Sequence, residues 1–550
     1  MTNMTTVKRN YDAKEKRDYF CMHWCLPREY KGAVSKDVAP SPSEISEFIA
    51  NNARWRAEER PALVLNTKYV YHNHVSYLGG SHMKFIGRRN ELQILEREYL
   101  RGASLAVVYG RRRVGKTRLI KQFLEGKQAL YFLASQESET MNLRRFAESV
   151  ARFVGIPALA QASYDDWRPL FQTVADFEPD MPKVVVIDEL PYLVEGNAAL
   201  PSILQYVWDE TLSDSNVMLV LCGSSAHMMQ ESALSRNSPL YGRSSLQLRL
   251  RPLAFGEFQE GFGQLPFSDQ MRIFSVTGGV PKYLEFFDGA DFGEAIERNV
   301  LSSSGYLYNE PRFLLAQDTR SPLTHYSIMR AIAYGNHKPS EIASAIGRPQ
   351  NEVSPYLRSL VALGYVRKEV PATERQPDRS KNGLYVIDDN LLRFWFTYVL
   401  PFEGDLEMGN MAPSRRALKA SLDSRFVATC FEEVSREALA TACLEGAVPF
   451  EPNRIGRWWN RNGSIEVDVC ATESEGEALL LGECKYHTTA PFSKREYAAL
   501  AEKAGSPAFS RYDVAGLCLF SKTGFDPALV ESLSSKNNIY LFNECRLVRS

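Results

Sequence analysis

Between Leu105 and Phe123 the chain reads LAVVYGRRRVGKTRLIKQF. Five apolar, β-favouring residues (Leu105 to Tyr109) lead into Gly110. Four variable residues follow (Arg111, Arg112, Arg113 and Val114), then Gly115, Lys116, Thr117 and Arg118, where the apolar spacing lengthens to that of a helix. Glycines at these positions let the backbone curl so that successive N–H groups and a helix N-terminus face one anion. Lys116 adds a point charge toward the β/γ-phosphates of a nucleotide, and the Thr117 hydroxyl can ligate Mg²⁺. Taken alone, the stretch also reads as a glycine turn with a chance Lys-Thr pair. Its position between a strand and a helix favours the phosphate loop.

A chain of 550 residues is too long for one core, and about 150 residues per domain gives three or four units. Lys plus Arg number 65 against 66 Asp plus Glu, so any surface for nucleic acid must be a local patch. No apolar run reaches the length of a bilayer span and the first residues lack a signal-peptide core, which makes the cytoplasm the expected compartment and excludes a membrane partner. Cys222, Cys470, Cys484 and Cys518 lie in or beside apolar runs, as thiols do in a reducing compartment. Cys21, His23 and Cys25 have no second pair at zinc spacing and are not read as a metal site.

Residues 1–82 show no sustained period apart from a short helix over Pro42 to Ala53, and are expected to be a poorly structured extension. GGSHM at Gly79 to Met83 resembles an expression scar, and Met83 a natural start. From 83 to 290 the pattern is α/β, with buried-strand runs at Leu105 to Tyr109, Ala129 to Ala134, Val184 to Ile187 and Val217 to Cys222. The third run ends in Asp188 and Glu189. They suit a Mg²⁺ ligand and a group that orients attacking water, or a simple turn cap. The fourth ends in Gly223, Ser224 and Ser225, a tip where a hydroxyl meets the γ-phosphate or a turn closes. Arg243 is the candidate arginine finger, in this or an adjacent subunit of a homo-oligomer, with Arg236 second.

The ordered set FIGR, YGRRRVGKT, VVVIDELPYL, LVLCGSS and TGGVPKYL resembles the archaeal-type ATPase family, related to the AAA+ and STAND nucleotide hydrolases. The resemblance implies ATP and Mg²⁺ as cofactors. It also implies a sheet with an extra strand between the two phosphate-site motifs, which the Ala129 to Ala134 run can supply, and a coupling loop at Gly278, Gly279 and Pro281.

Residues 291–402 read as a helical linker and a winged helix-turn-helix. Ser340 is expected to cap one helix ending at Gly347, and Ser354 with Pro355 at the first helical position to start a second ending at Gly364. YVRKEV and LYVIDD form the wing, and Asn351, Arg358, Arg367 and Lys368 are candidate DNA contacts. The aromatic run Leu391 to Leu400 docks one unit on another, and 403–419 reads as a linker.

In 420–550 a helix carries Glu432 and Glu433, one strand carries Asp468, and the next carries Glu483 and Lys485 on one face. Two acids and a lysine between strands can bind Mg²⁺ and activate water, or form a buried ion pair. The set resembles the PD-(D/E)xK nuclease superfamily, with Glu432 as the helix acid and Glu433 its alternate. FEEVSREAL, IGRWWNRNGSIEVDV and LLLGECKY resemble the C-terminal domain of unknown function that accompanies archaeal-type ATPases.

The expected protein is thus a multidomain α/β chain: a P-loop parallel-sheet ATPase, a winged helix-turn-helix and a restriction-endonuclease-like domain. It would be a Mg²⁺-dependent ATP switch controlling a metal-dependent nuclease-like domain acting on nucleic acid, DNA first. The alternative is an ATP-gated DNA- or protein-binding regulator whose nuclease-like domain is non-catalytic.

Overall fold

A computed structural model describes residues 83–224, 226–319, 321–473 and 477–549. The readings made for residues 1–82, and for Ser225, lie outside the described residues. By compactness the described residues divide into two units, one holding 138–178 and the other 83–137 with the described residues from 179 to 549.

In the larger unit, helix α1 (Arg89–Tyr99) seals Leu95 from solvent and precedes β1 (Ser104–Tyr109) and α2 (Lys116–Leu124). With β2 (Ala129–Leu133), β3 (Lys183–Asp188), β4 (Val217–Gly223) and β5 (Leu246–Arg249), β1 forms a parallel sheet in the order β2-β3-β4-β1-β5. The strand between β1 and β3 is therefore β4, and not the Ala129 to Ala134 run expected there. Burial explains the correction. Every residue of β4 is buried, as apolar residues with both faces covered require, whereas β2 buries Leu130 and Phe132 and leaves Leu133 exposed, the alternation of an edge.

The smaller unit is helical. Ser138 caps Glu139–Val154, Gly155 ends it at φ 74°, and Phe146 packs on Trp167 and Phe171 at ring distances of 5.3 and 5.1 Å.

Beyond β5, helix α3 (Phe255–Phe262) leads through further helices to α4 (Tyr306–Asp318) and α5 (Pro322–Ala333). Then come α6 (Pro339–Ala345), α7 (Gln350–Leu363) and the antiparallel pair β6 (Val366–Glu369) and β7 (Leu384–Ile387). This is the winged helix-turn-helix, with two corrected helix starts. Lys338, not Ser340, precedes α6, whose end is closed by Glu341 accepting from the Lys338 and His337 N–H groups at 3.0 and 3.1 Å. α7 begins at Gln350, so Pro355 lies inside it. The site tolerates proline because the carbonyl it leaves unpaired belongs to exposed Asn351, open to water.

Helix α8 (Asn390–Tyr398) buries Leu391, Leu392, Phe394, Trp395, Phe396 and Tyr398, and the Trp395 indole donates to the Tyr308 carbonyl of α4 at 2.7 Å. At roughly 1.5–3 kcal/mol per buried large side chain, this face fixes α8 to the preceding helices. Residues 403–419, expected as a linker, are instead largely helical over Glu403–Glu407 and Ala412–Ser421. Leu406 and Ser414 are buried, and Ser414 donates to the Tyr398 carbonyl at 2.7 Å.

The C-terminal part opens with α9 (Ala428–Leu444) and the antiparallel run β8 (Pro452–Trp459), β9 (Glu466–Glu473) and β10 (Ala478–Lys485). Helix α10 (Lys494–Ala504) crosses to β11 (Asp513–Ser521), parallel to β10, and α11 (Pro527–Leu533) to β12 (Ile539–Asn543), parallel to β11. β13 (Arg546–Arg549) closes the sheet in the order β13-β12-β11-β10-β9-β8. Among the described residues no helix is long and apolar enough to cross a membrane.

Candidate active sites

The phosphate loop joins β1 to α2. At Gly110 a Cβ would sit 2.3 Å from the Leu250 carbonyl oxygen, so only glycine fits. Gly115, at φ 92°, precedes α2, and no side chain caps that helix end, which leaves its N–H groups to an anion. Lys116 is folded back on the loop, donating to the Gly110 and Arg111 carbonyls at 2.9 and 3.1 Å, and burial lowers its pKa. Val114 is buried and its carbonyl accepts from Arg88 Nη2 at 3.1 Å. The Arg118 guanidinium turns away from the loop to the Met83 carbonyl.

The tips of β3 and β4 close the site. Asp188 Oδ2 accepts from Thr117 Oγ1 at 2.8 Å and from the Tyr131 hydroxyl at 2.6 Å, while Oδ1 accepts from the Glu189 N–H at 3.0 Å. Glu189, at φ 59°, accepts from the Ser224 N–H at 3.2 Å and hydroxyl at 2.9 Å. A hydroxyl and a carboxylate in contact, beside an uncapped helix end and a lysine, form a donor set that suits a nucleotide triphosphate with Mg²⁺. Thr117 and Asp188 would hold the ion.

Arg243 stands apart from this set. It donates to both carboxylate oxygens of Asp209 at 2.8 and 2.7 Å, so as folded its charge is engaged on its own surface. Two residues of the site were missed from sequence. Tyr131 carries only a strand signal, because its role depends on β2 lying beside β3. Arg88 also donates to the Arg251 carbonyl at 2.5 Å and to Glu91 at 2.9 Å, and its one local signal, the turn at Gly87, does not point to the loop.

The side chains of the three loop arginines face acids of the helical and winged-helix segments. Arg111 pairs with Asp389, Arg112 Nε lies 3.0 Å from Asp318, and Arg113 Nε lies 2.9 Å from Glu310. The Gly278–Pro281 turn also abuts the loop, since a Cβ on Gly115 would lie 3.5 Å from Pro281.

In the C-terminal sheet, Lys485 Nζ lies 2.7 Å from Glu483 Oε1, and Lys503 Nζ of α10, missed from sequence for want of any local signal, lies 2.9 Å from Oε2. Asp468 Oδ2 accepts from the Cys484 N–H at 2.9 Å. Burial and then the charge of Asp468 push Glu432 up to about 7, and burial with the charge of Glu483 raises Asp468. Burial pulls Lys485 down, but its hydrogen bond to Glu483 and the charges of Glu483 and Asp468 together outweigh this and raise it. Glu433 faces elsewhere: against the cost of burial, Arg393 and Arg367 hold it at about 2, with Arg367 Nη2 at 2.6 Å. Among the described residues no three His, Cys, Asp or Glu side chains are gathered as a metal-binding group. Both oxygens of Glu483 are taken by lysines. Glu432, Asp468 and Glu483 thus have the chemistry of a metal site and are not gathered as one while the two lysines hold Glu483.

Of the candidate DNA contacts, Asn351 and Arg358 are exposed on α7. Arg367 is instead spent on Glu369, Asp388 and Glu433, and Lys368 donates to the Pro377 and Asp378 carbonyls at 3.2 Å each.

Residues 85–287 match the family described as an ATPase domain predominantly from Archaea, 327–370 an IclR helix-turn-helix domain, and 395–499 archaeal and bacterial proteins of unknown function. An uncharacterized protein of Methanocaldococcus jannaschii, MJECL04, is 31% identical over 403 residues, covering 73% of this chain and 87% of that one. Among solved structures, a Walker-type ATPase of Pyrococcus abyssi is similar over 57% of this chain and 96% of its own at 20% identity and a TM-score of 0.45. The ORC2 protein of Aeropyrum pernix is similar over 60% and 96% at 16% identity and a TM-score of 0.40. The chain belongs to the archaeal-type ATPase family, with its P-loop ATPase domain, an IclR-type winged helix-turn-helix and the C-terminal domain of unknown function.

Proposed function

We propose that this protein is a Mg²⁺-dependent ATP-binding and ATP-hydrolysing switch that controls a nuclease-like C-terminal domain acting on nucleic acid. The observation that carries the ATPase reading is the meeting of Thr117, Asp188, Glu189 and Ser224 around the open end of α2. Backbone amides of Gly110 to Thr117 and the Lys116 ammonium hold the phosphates. Glu189, released from Ser224, orients the attacking water, and Ser224 then faces the γ-phosphate. Bound Mg²⁺ supplies charge neutralisation on the phosphate oxygens. In the output domain Asp468, Glu483 and Lys485, with Glu432 as helix acid, are the residues proposed to act on a phosphodiester. Nucleic acid is the proposed partner, reached through the exposed face of α7 with Asn351 and Arg358.

Phosphate release with Mg²⁺ and ATP tests the switch. The wild type turns over and Lys116→Ala and Glu189→Gln do not; equal turnover in all three would remove the reading.

The second reading, a regulator with a non-catalytic C-terminal domain, is favoured by one observation, the two lysines that occupy Glu483. Under it Lys485→Ala leaves every output of the protein intact.

A further inference from the structure

Three consecutive side chains of the phosphate loop are held by three acids far along the chain. Arg111 is 11% exposed and its partner Asp389 fully buried; Arg112 and Arg113 are 24% and 34% exposed, against 5% for Asp318 and 2% for Glu310. The acids stand on rigid supports. Asp389 caps α8 by accepting from the Leu392 N–H at 2.7 Å, and Asp318 accepts from the Tyr365 hydroxyl at 2.5 Å. Glu310 lies mid-helix in α4, with the Tyr283 hydroxyl at 3.5 Å. Surface pairs between long side chains are worth little, but pairs with buried, pre-oriented carboxylates are not of that kind. The arginines themselves are anchored in the loop that must wrap a polyanion. Arg113 also holds a left-handed φ of 72°, a strained setting for a residue with a Cβ.

Resting on the reading of Gly110 to Thr117 as a nucleotide loop, we propose that Arg111, Arg112 and Arg113 are further ligands for the phosphates of a nucleoside triphosphate, masked by Asp389, Asp318 and Glu310. Phosphate oxygens and carboxylates compete for the same guanidinium forks. Nucleotide binding therefore weakens the hold of the loop on α4 and on the start of α8, and that hold weakens nucleotide binding by the same factor. No covalent step is involved.

The test is calorimetric titration of the full chain with Mg²⁺ and a non-hydrolysable ATP analogue. Neutralising Asp389 leaves Arg111 buried without a partner, so the two more exposed pairs carry the experiment. Asp318→Asn and Glu310→Gln keep side-chain shape and remove the competing charge, and their combination is expected to bind about tenfold tighter. Arg112→Gln and Arg113→Gln are expected to bind more weakly. A purely structural role for the pairs weakens binding from both sides; that result, or unchanged affinity in the acid variants, overturns the proposal. Lys116→Ala separates this from the reading beneath it. Wild-type binding that Lys116→Ala does not weaken overturns the nucleotide loop itself, and the masking with it. Binding that depends on Lys116 while the acid variants stay at wild-type affinity overturns the masking alone.

Discussion

The Glu189 carboxylate accepts two hydrogen bonds from Ser224, one from its N–H at 3.2 Å and one from its hydroxyl at 2.9 Å. The group that would orient water is thereby held at the tip of the neighbouring strand. Glu189→Gln is expected to lower ATP turnover about 10²–10⁴-fold with nucleotide affinity kept, measured by phosphate release beside calorimetry. A loss of affinity without a loss of turnover would assign Glu189 to binding instead.

Asp188 depends on Tyr131 for its orientation, through the 2.6 Å hydrogen bond from the hydroxyl. Tyr131→Phe removes one donor and no bulk. Support of this kind is worth about 10–100-fold in metal affinity, so the variant should need that much more Mg²⁺ for half-maximal turnover. Nucleotide binding without Mg²⁺ should be unchanged. An unaltered Mg²⁺ profile would contradict the assignment.

At Gly110 the Leu250 carbonyl leaves no room for a Cβ, which would stand 2.3 Å from its oxygen. Gly110→Ala is expected to cost about 1–3 kcal/mol in a denaturant titration through backbone displacement. It should also abolish nucleotide binding, because the backbone that must shift carries the Gly110 carbonyl, which holds Lys116 at 2.9 Å.

Acid stability follows from Glu369. Burial raises its pKa, but the charge and hydrogen bond of Arg367, with the charges of Arg457 and Arg436, together outweigh this and bring it below its ordinary 4.5. A carboxyl depressed in the folded state adds stability above its unfolded pKa and loses it as pH falls through the folded value. Glu369→Gln should therefore flatten the fall of stability below about pH 4.5, and at pH 7 should leave a less stable protein with Arg367 partly unpaired. Urea midpoints measured from pH 7 to pH 3 check both. A variant with the wild-type slope would contradict the pairing.

Features set by local pattern were legible in the sequence. The strand, glycine loop and helix around Lys116, the acids at the tip of β3, and Ser224 at the tip of β4 each announce themselves within a few residues, and the parallel sheet brings the tips together. What depends on neighbours across the chain was hidden. An apolar run states that a strand is buried but not between which strands, so the Ala129 to Ala134 run reads as the strand between β1 and β3, a place that β4 takes. The partners of Arg111 and Arg113 lie 278 and 197 residues away, and no spacing rule links them. Pro355 reads as a helix start and the Gly/Pro-bearing 403–419 stretch as a linker because local propensity disfavours helix interiors there, and packing of Val353, Leu357 and Leu406 overrides it. Lys503 reaches Glu483 only because α10 packs on β10.

The most direct test of the switch is cleavage of plasmid and single-stranded DNA with Mg²⁺ or Mn²⁺, with and without ATP, in the wild type, Lys485→Ala and Lys116→Ala. The account predicts cleavage that Lys485→Ala abolishes and that Lys116→Ala uncouples from ATP. Intact ATP hydrolysis with no cleavage of either DNA under any of these conditions would contradict it.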